Sequence, residues 1–214
     1  HAYYTQNNCV ELITDGTVLS KKMMDDIRAA KESVNIEYFI IKKDFVGLSL
    51  IDLLTEKAKE GVEVRLLLDA MGSRTINERV LKDYLKAGGK VGFFFRPKLK
   101  IFGLKLNYRN HRKIVVIDNK IGYTGGYNVA REYIGKKKKF GYWRDTHVRI
   151  TGDAVNDLNG RFILDWRFTT KEQMDLVPYG FSKEEEKGNV GIQIVSCGPE
   201  SPAEEVKRAM MHMI

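Results

Sequence analysis

Short β-rich apolar runs alternate with helix-spaced segments along most of this chain, and that rhythm constrains its fold more than any other feature. Residues 10–14 read as a strand, followed by a turn at Asp15-Gly16. Residues 18–31 then have helical spacing, with Leu19, Met23, Ile27 and Ala30 on one face. Residues 35–41 (NIEYFII) are β-rich, 49–59 helical and 62–69 (VEVRLLLD) a buried strand. Residues 76–87 read as a helix and 91–95 as a strand. Gly61 and Gly88-Gly89 follow two of the helices, where a glycine ends a helix without strain. Strand–helix–strand repetition predicts an α/β fold with a central mixed, largely parallel sheet and helices on its faces.

The second half changes character. Residues 111–117 and 121–124 are strands, separated by Asp118-Asn119-Lys120 as a tight hairpin. Gly125-Gly126-Tyr127-Asn128 follows, with a short helix expected from Asn128. Residues 142–150 form a strand and 153–168 a helix. Residues 168–189 are polar and read as a linker or surface loop. Residues 190–197 read as a strand, with a turn and a helix from about Pro202. The strand–turn–helix plan near residue 190 echoes the opening of the chain. The expected organisation is a catalytic lobe over 1–167, a linker over 168–189 and the start of a second lobe over 190–214.

Chemistry concentrates around residue 111. His111 and Lys113 lie two apart on a strand, so both point to one side. The apolar run Ile114-Val115-Val116-Ile117 gives them a rigid, buried base. Gly125 and Gly126 allow a backbone to come close to a ligand, and Asn128 at a helix start would favour an anion. A neutral imidazole can attack phosphorus and hold a phosphoryl group. A lysine beside it can neutralise a phosphate oxygen in the transition state. The protein then supplies the cations itself, so neither a metal nor another cofactor is expected. Asp118 fits direct chemistry and a structural hairpin role equally well.

The net charge of +8 suits an anionic partner, whether lipid headgroups or nucleic acid. There is no apolar run of membrane-spanning length, and residues 1–10 lack the pattern of a signal peptide. Cys9 and Cys197 have no metal-ligand spacing and point to a reduced compartment. Lys136–Lys139 is a lysine run that fits either a solvated loop or contact with anionic headgroups. Phe102, Leu104 and Leu106, among Lys98, Lys100 and Lys105, fit either a headgroup-facing loop or core packing.

The pattern His111-x-Lys113-x4-Asp118-x6-Gly125-Gly126-x-Asn128 resembles the signature of the phospholipase D superfamily. The flanks 102–113, 140–147, Ile36-Glu37-Tyr38 and Ser196-Cys197-Gly198-Pro199 are similar to bacterial cardiolipin synthases. The resemblance implies a phospholipase D-like α/β/α sandwich. It also implies a phosphatidyltransferase that joins two phosphatidylglycerols through a phosphatidyl-histidine, with His111, Lys113 and Asp118 catalytic. Asn128, Gly125, Gly126 and Asn110 are the expected phosphate-binding residues. Asp145 would orient the histidine of a partner lobe, and Glu37 is a candidate supporting group. His147 is read as site-lining or structural. Of the four histidines, only His111 begins an H-x-K-x4-D motif. The resemblance therefore makes the chain an N-terminal catalytic half plus the first turns of the next, without the anchoring segments usual before that half. The second histidine would come from further chain or from a homodimer mate. The full-length protein would sit at the membrane with this lobe at the cytoplasmic face, while the fragment itself would be soluble. The alternatives are a nuclease of the same superfamily acting as a homodimer on DNA or RNA, and an inactive half-enzyme.

Overall fold

A computed structural model describes residues 2–95, 109–176, 178, 188–198 and 205–213. The lysine- and apolar-rich loop around Phe102, and residues 177 and 179–187 of the polar segment 168–189, lie outside the described residues. Eight strands form one sheet: β1 (Tyr4–Asp15), β2 (Ser33–Tyr38), β3 (Glu63–Asp69), β4 (Lys90–Phe94), β5 (Lys113–Ile117), β6 (Ile121–Gly125), β7 (Arg144–Gly152) and β8 (Val190–Gln193). Their order is β4-β3-β2-β5-β6-β7-β1-β8. The helices are α1 (Gly16–Ala29), α2 (Phe45–Lys59), α3 (Lys82–Lys86), α4 (Ala154–Thr170) and α5 (Glu205–His212).

The sheet is mixed, as expected, but it is not largely parallel. Only β2–β3 and β3–β4 run parallel, and the other five pairings are antiparallel. Connection length accounts for three of these pairings. Helices α2 and α3 provide the crossovers that parallel pairing requires, whereas β5 and β6 are joined by three residues, which permit only a hairpin. Asp118 and Asn119 adopt left-handed backbone in that hairpin, at φ 49° and 55°, a conformation that short polar side chains tolerate.

Strand β5 shows why both sheet faces are covered. Val115 and Ile117 point into a core built with Leu19, Met23 and Ile27 of α1 and Leu50 and Leu54 of α2. Ile114 and Val116 point the other way, against Leu158, Phe162 and Trp166 of α4. A strand buried on both faces reads as a near-continuous apolar run; β5 is buried throughout, and only Lys113 at its start breaks the run. Asp15 and Asp44 start α1 and α2 by accepting hydrogen bonds from the first free N–H groups.

Three sequence expectations shift. The helix expected over 76–87 shortens to α3, because residues 70–81 form turns without a helical ladder. The helix expected after Asn128 is absent, and residues 130–140 are bends and turns. The segment from Val190 enters this same sheet, pairing antiparallel with β1 through Tyr4–Gln193 and Asn8–Val190.

Candidate active site

The carboxyl end of β2 and the amino end of β5, neighbours in the middle of the strand order, meet at one end of the sheet's strands, where Tyr38 pairs with Lys113. Regular pairing of β5 starts only at Lys113, so His111 lies on the segment entering the strand. Its ring packs on Phe39, with centroids 3.9 Å apart, and is otherwise exposed. Lys113 is buried; its Nζ donates to the His111 carbonyl at 2.5 Å and stands 3.5 Å from His111 Nδ1. The same ammonium lies 5.5 Å from the Phe39 ring centroid. Partial burial, then the Lys113 charge, hold the His111 pKa below the ordinary imidazole value, with Asp69 opposing. Burial likewise lowers the Lys113 pKa, and the Asp145 carboxylate counters it. A neutral imidazole and a neighbouring cation are what nucleophilic attack on a phosphodiester needs.

Chain segments on either side of His111 are tightly anchored. Asn110 is buried; its backbone N–H donates to Asp69 and its amide donates to Glu37 at 2.5 Å. Its Oδ1 accepts from the Arg112 N–H. Asn110 is thus engaged inside the protein, through its backbone N–H and both ends of its amide. Arg112 pairs with Asp165 at 3.2 Å and donates to the Cys197 carbonyl at 2.8 Å. Arg161 closes on the same carboxylate at 2.5 Å and 3.1 Å. Glu37 is buried; desolvation first, and then Asp165, push its pKa well above the ordinary carboxyl range. It joins Asn110, Asp165 and Arg112 in one buried polar network.

The two glycines have separate functions. Ile114 pairs with Thr124, and Thr124 with Val148, so Lys113 stands across from Gly125, which pairs with His147. A Cβ on Gly125 would press into His147, 2.6 Å from Nδ1, and one on Gly126 would collide with the Asp145 carboxylate. Asp145 Oδ1 also accepts from the Thr146 N–H at 2.7 Å. His147 is 1% exposed, and neither ring nitrogen has a hydrogen-bond partner among the described residues. Burial lowers its pKa to about 4, so it is neutral beside Lys113.

Two expected site residues lie elsewhere. Asp118 follows the far end of β5, about 16 Å along the strand from Lys113 at roughly 3.3 Å per residue. Its carboxylate accepts from the N–H groups of Lys31, Glu32 and Ser33 at 2.7–2.9 Å, so it secures the entry to β2 instead of joining the cluster. Asn128 accepts from Ile40 N–H and donates to the Tyr133 hydroxyl. It stitches its loop to the chain beyond β2, and with no helix following, the expected anion-binding helix start is not formed.

A cavity of about 390 Å³ adjoins the His111–Lys113 pair. Arg112 and Arg161 give it a basic side, while Ile114, Val148, Leu158 and Val195 give apolar walls. Sequence reasoning missed Phe39 and the Arg112–Asp165–Arg161 cluster. Asp165 was detectable: Leu158, Phe162 and Asp165 follow the helix's core spacing, so an acid there had to find a buried partner. Among the described residues, no group of three or more His, Cys, Asp or Glu side chains could hold a metal. No helix there is long and apolar enough to cross a membrane.

Residues 23–157 match the family described as "Cardiolipin synthase, PLD-like domain". The whole chain is 47% identical to the major cardiolipin synthase ClsA of Bacillus subtilis and covers 45% of that protein. It is 46% identical to cardiolipin synthase of Oceanobacillus iheyensis and covers 44% of it. The chain therefore spans less than half the length of these curated relatives. The fold is similar to that of a phosphatidylserine synthase from Haemophilus influenzae, with TM-score 0.59 and 16% identity, over 74% of this chain and 37% of that one. It is also similar to NucT from Helicobacter pylori, with TM-score 0.55 and 17% identity, over 77% of this chain and 97% of that one.

Proposed function

The chain belongs to the cardiolipin synthase family of phospholipase D-like domains, and we propose that it forms one catalytic lobe of a phosphatidyltransferase that makes cardiolipin from two phosphatidylglycerols. In this reading His111 is one of two histidines that meet at the reacting phosphate. The imidazole that attacks displaces glycerol as the P–O bond breaks, and the leaving alkoxide takes a proton from the other imidazole. The resulting phosphatidyl-histidine is then attacked by a hydroxyl of the second phosphatidylglycerol. The second imidazole takes that proton, and the histidine–phosphorus bond breaks to release cardiolipin.

One observation carries the proposal: a neutral imidazole and a buried lysine, 3.5 Å apart, share a fixed end of the sheet's strands. Lys113 balances charge on a non-bridging phosphate oxygen. Asn110 and Arg112 hold the backbone on either side of His111, so the ring reaches the reacting atom without a large loss of freedom. Asp145, whose charge acts on Lys113, would orient a histidine brought by the second lobe. That lobe comes from further chain or from a second copy. The reading puts the full-length protein at the membrane.

The test is transfer from labelled phosphatidylglycerol by the full-length protein. Wild type denatured at alkaline pH, where a phosphorus–nitrogen bond survives, should retain phosphorus label on histidine, and His111→Ala should lose cardiolipin formation by a factor of at least about 10³. Normal turnover in that variant would remove His111 from the reaction.

A further inference from the structure

The end of the sheet's strands that carries His111 also carries a second basic hollow which the transfer chemistry does not use. Beyond β2 the chain continues past Phe39, the residue under His111, to Lys42 and Lys43. Ser73 donates to the Phe39 carbonyl, and Thr75 accepts from the Lys43 N–H. The Asp44 carboxylate caps α2 and accepts from the Arg131 N–H. These loops enclose a hollow of about 370 Å³ lined by Lys42, Lys43, Arg131 and Lys137. Glu132 is buried and engages Lys42, and the Asp44 carboxylate also lines the hollow, so Lys43, Arg131 and Lys137 leave a net positive excess to face an outside anion.

Large apolar side chains stand exposed around this hollow. Phe45 lines it and is 56% exposed. Phe140 is 45% exposed, lies 4.7 Å from the Lys137 ammonium and abuts Trp143 edge-on. Lys136, Lys138 and Lys139 extend the positive rim. Exposed rings are costly in water, and interleaving them with cations suits one environment: the headgroup level of a bilayer containing anionic lipid. There, rings sit among the headgroups and ammonium groups meet phosphates.

We infer that the rim formed by Lys43, Phe45, Arg131, Lys137 and Phe140 docks this lobe on an anionic bilayer, with a lipid phosphate in the hollow and the His111 end turned to the surface. The inference rests on the lipid reading above for its meaning, but its test does not depend on turnover. Nucleic acid is the competing anion.

The test is sedimentation of the chain with vesicles of phosphatidylcholine, with and without phosphatidylglycerol. Lys43→Glu/Lys137→Glu should weaken binding to the anionic vesicles by about tenfold or more, and Phe45→Ser/Phe140→Ser should weaken it several-fold. Lys82→Glu/Lys86→Glu carries the same charge change on α3, which leads into the opposite end of β4; it should change binding less than about twofold. Thermal unfolding of each variant shows whether it is folded. Equal losses in both lysine pairs would overturn the inference, as would equal binding to neutral vesicles. So would a loss confined to a single-stranded oligonucleotide offered in parallel. Hydrolysis of a soluble phosphodiester by the full-length protein reads the catalytic proposal separately. It should be unchanged in the rim variants, and its absence in wild type would count against the catalysis and leave the vesicle result standing.

Discussion

Lys113 Nζ stands 3.5 Å from His111 Nδ1 while donating at 2.5 Å to the carbonyl oxygen of the same residue. One ammonium thus fixes the backbone of the imidazole and bears on its charge. The cation disfavours a second positive charge beside it, so the ring remains a free base at neutral pH.

The first prediction concerns that coupling. Titrated by NMR, the His111 ring should have a pKa below the ordinary value of about 6.5. Lys113→Gln should move it upward, because the repelling charge is gone while the Asp69 attraction remains. In the full-length protein the acid limb of kcat/KM should lie correspondingly below that ordinary value. A titration that does not move in Lys113→Gln would show that the lysine does not act on the ring.

Glu37 gives a pH effect of opposite sense. Its folded pKa is raised, so the unfolded chain loses the proton above about 4.5 while the folded protein keeps it. Stability should therefore decline as pH rises from that value toward the folded pKa. Glu37→Gln keeps the acceptor for Asn110 and an N–H toward Asp165 without needing a proton. Urea unfolding should find the variant as stable as wild type or more so at about pH 8, with a flatter profile. A large loss at that pH would mean that Glu37 is ionised in its buried site.

Much of this was legible in the sequence because local rules and tertiary packing agree. The α1 face of Leu19, Met23 and Ile27 and the unbroken run Ile114–Ile117 each had one stable placement, and both are buried. The H-x-K spacing brought His111 and Lys113 together for the same reason, since a rigid strand fixes what stands at its end. Failures came where a polar side chain had several possible partners. Nothing local to Asp118 indicates that Lys31–Ser33, about 85 residues earlier, will donate to it. Nothing local to Asn128 indicates Ile40. Beyond the β5–β6 hairpin, parallel or antiparallel pairing was also not legible, because it depends on which strands become neighbours and not on their composition.

The Asp118 arrangement leads to a prediction that separates fold from chemistry. Asp118→Ala removes three hydrogen bonds between a carboxylate and backbone N–H groups. Those groups lie near water and can be rehydrated, so the cost should be about 2–3 kcal/mol in urea unfolding. Turnover per folded molecule should change little, whereas Lys113→Ala should lower it by a factor of about 10² or more. Equal catalytic losses in the two variants would return Asp118 to the reaction.

His147 should make the protein acid-sensitive. Its folded pKa of about 4 lies below the unfolded value of about 6.5, so the unfolded chain binds a proton first as pH falls. Stability should drop by about 3 kcal/mol between those values on this account alone, at about 1.4 kcal/mol per unit. His147→Leu removes two buried, unpartnered nitrogens and should flatten that slope without a loss at neutral pH. An unchanged acid slope in His147→Leu would assign the acid sensitivity to other groups.

Gly126 makes the sharpest claim about site geometry, because it concerns one methyl group. The Gly126 N–H donates to the Thr146 carbonyl at 2.8 Å, and Gly126 carries no positive φ. Alanine is therefore allowed there by backbone conformation, but its Cβ would occupy the space held by the Asp145 carboxylate. The carboxylate must swing away, which weakens its attraction for Lys113 and removes it from the end of the sheet's strands where a partner histidine would arrive. Gly126→Ala should thus lower turnover of the full-length protein by about tenfold to a hundredfold, with a stability cost near 1 kcal/mol. Asp145→Asn keeps the shape and removes the charge, so it should reproduce the catalytic loss. Adding Gly126→Ala to Asp145→Asn should then cost much less than the product of the two separate losses, because both act through one carboxylate. Independent, multiplying losses would mean that Gly126 serves the site by approaching a ligand itself and not by making room for Asp145.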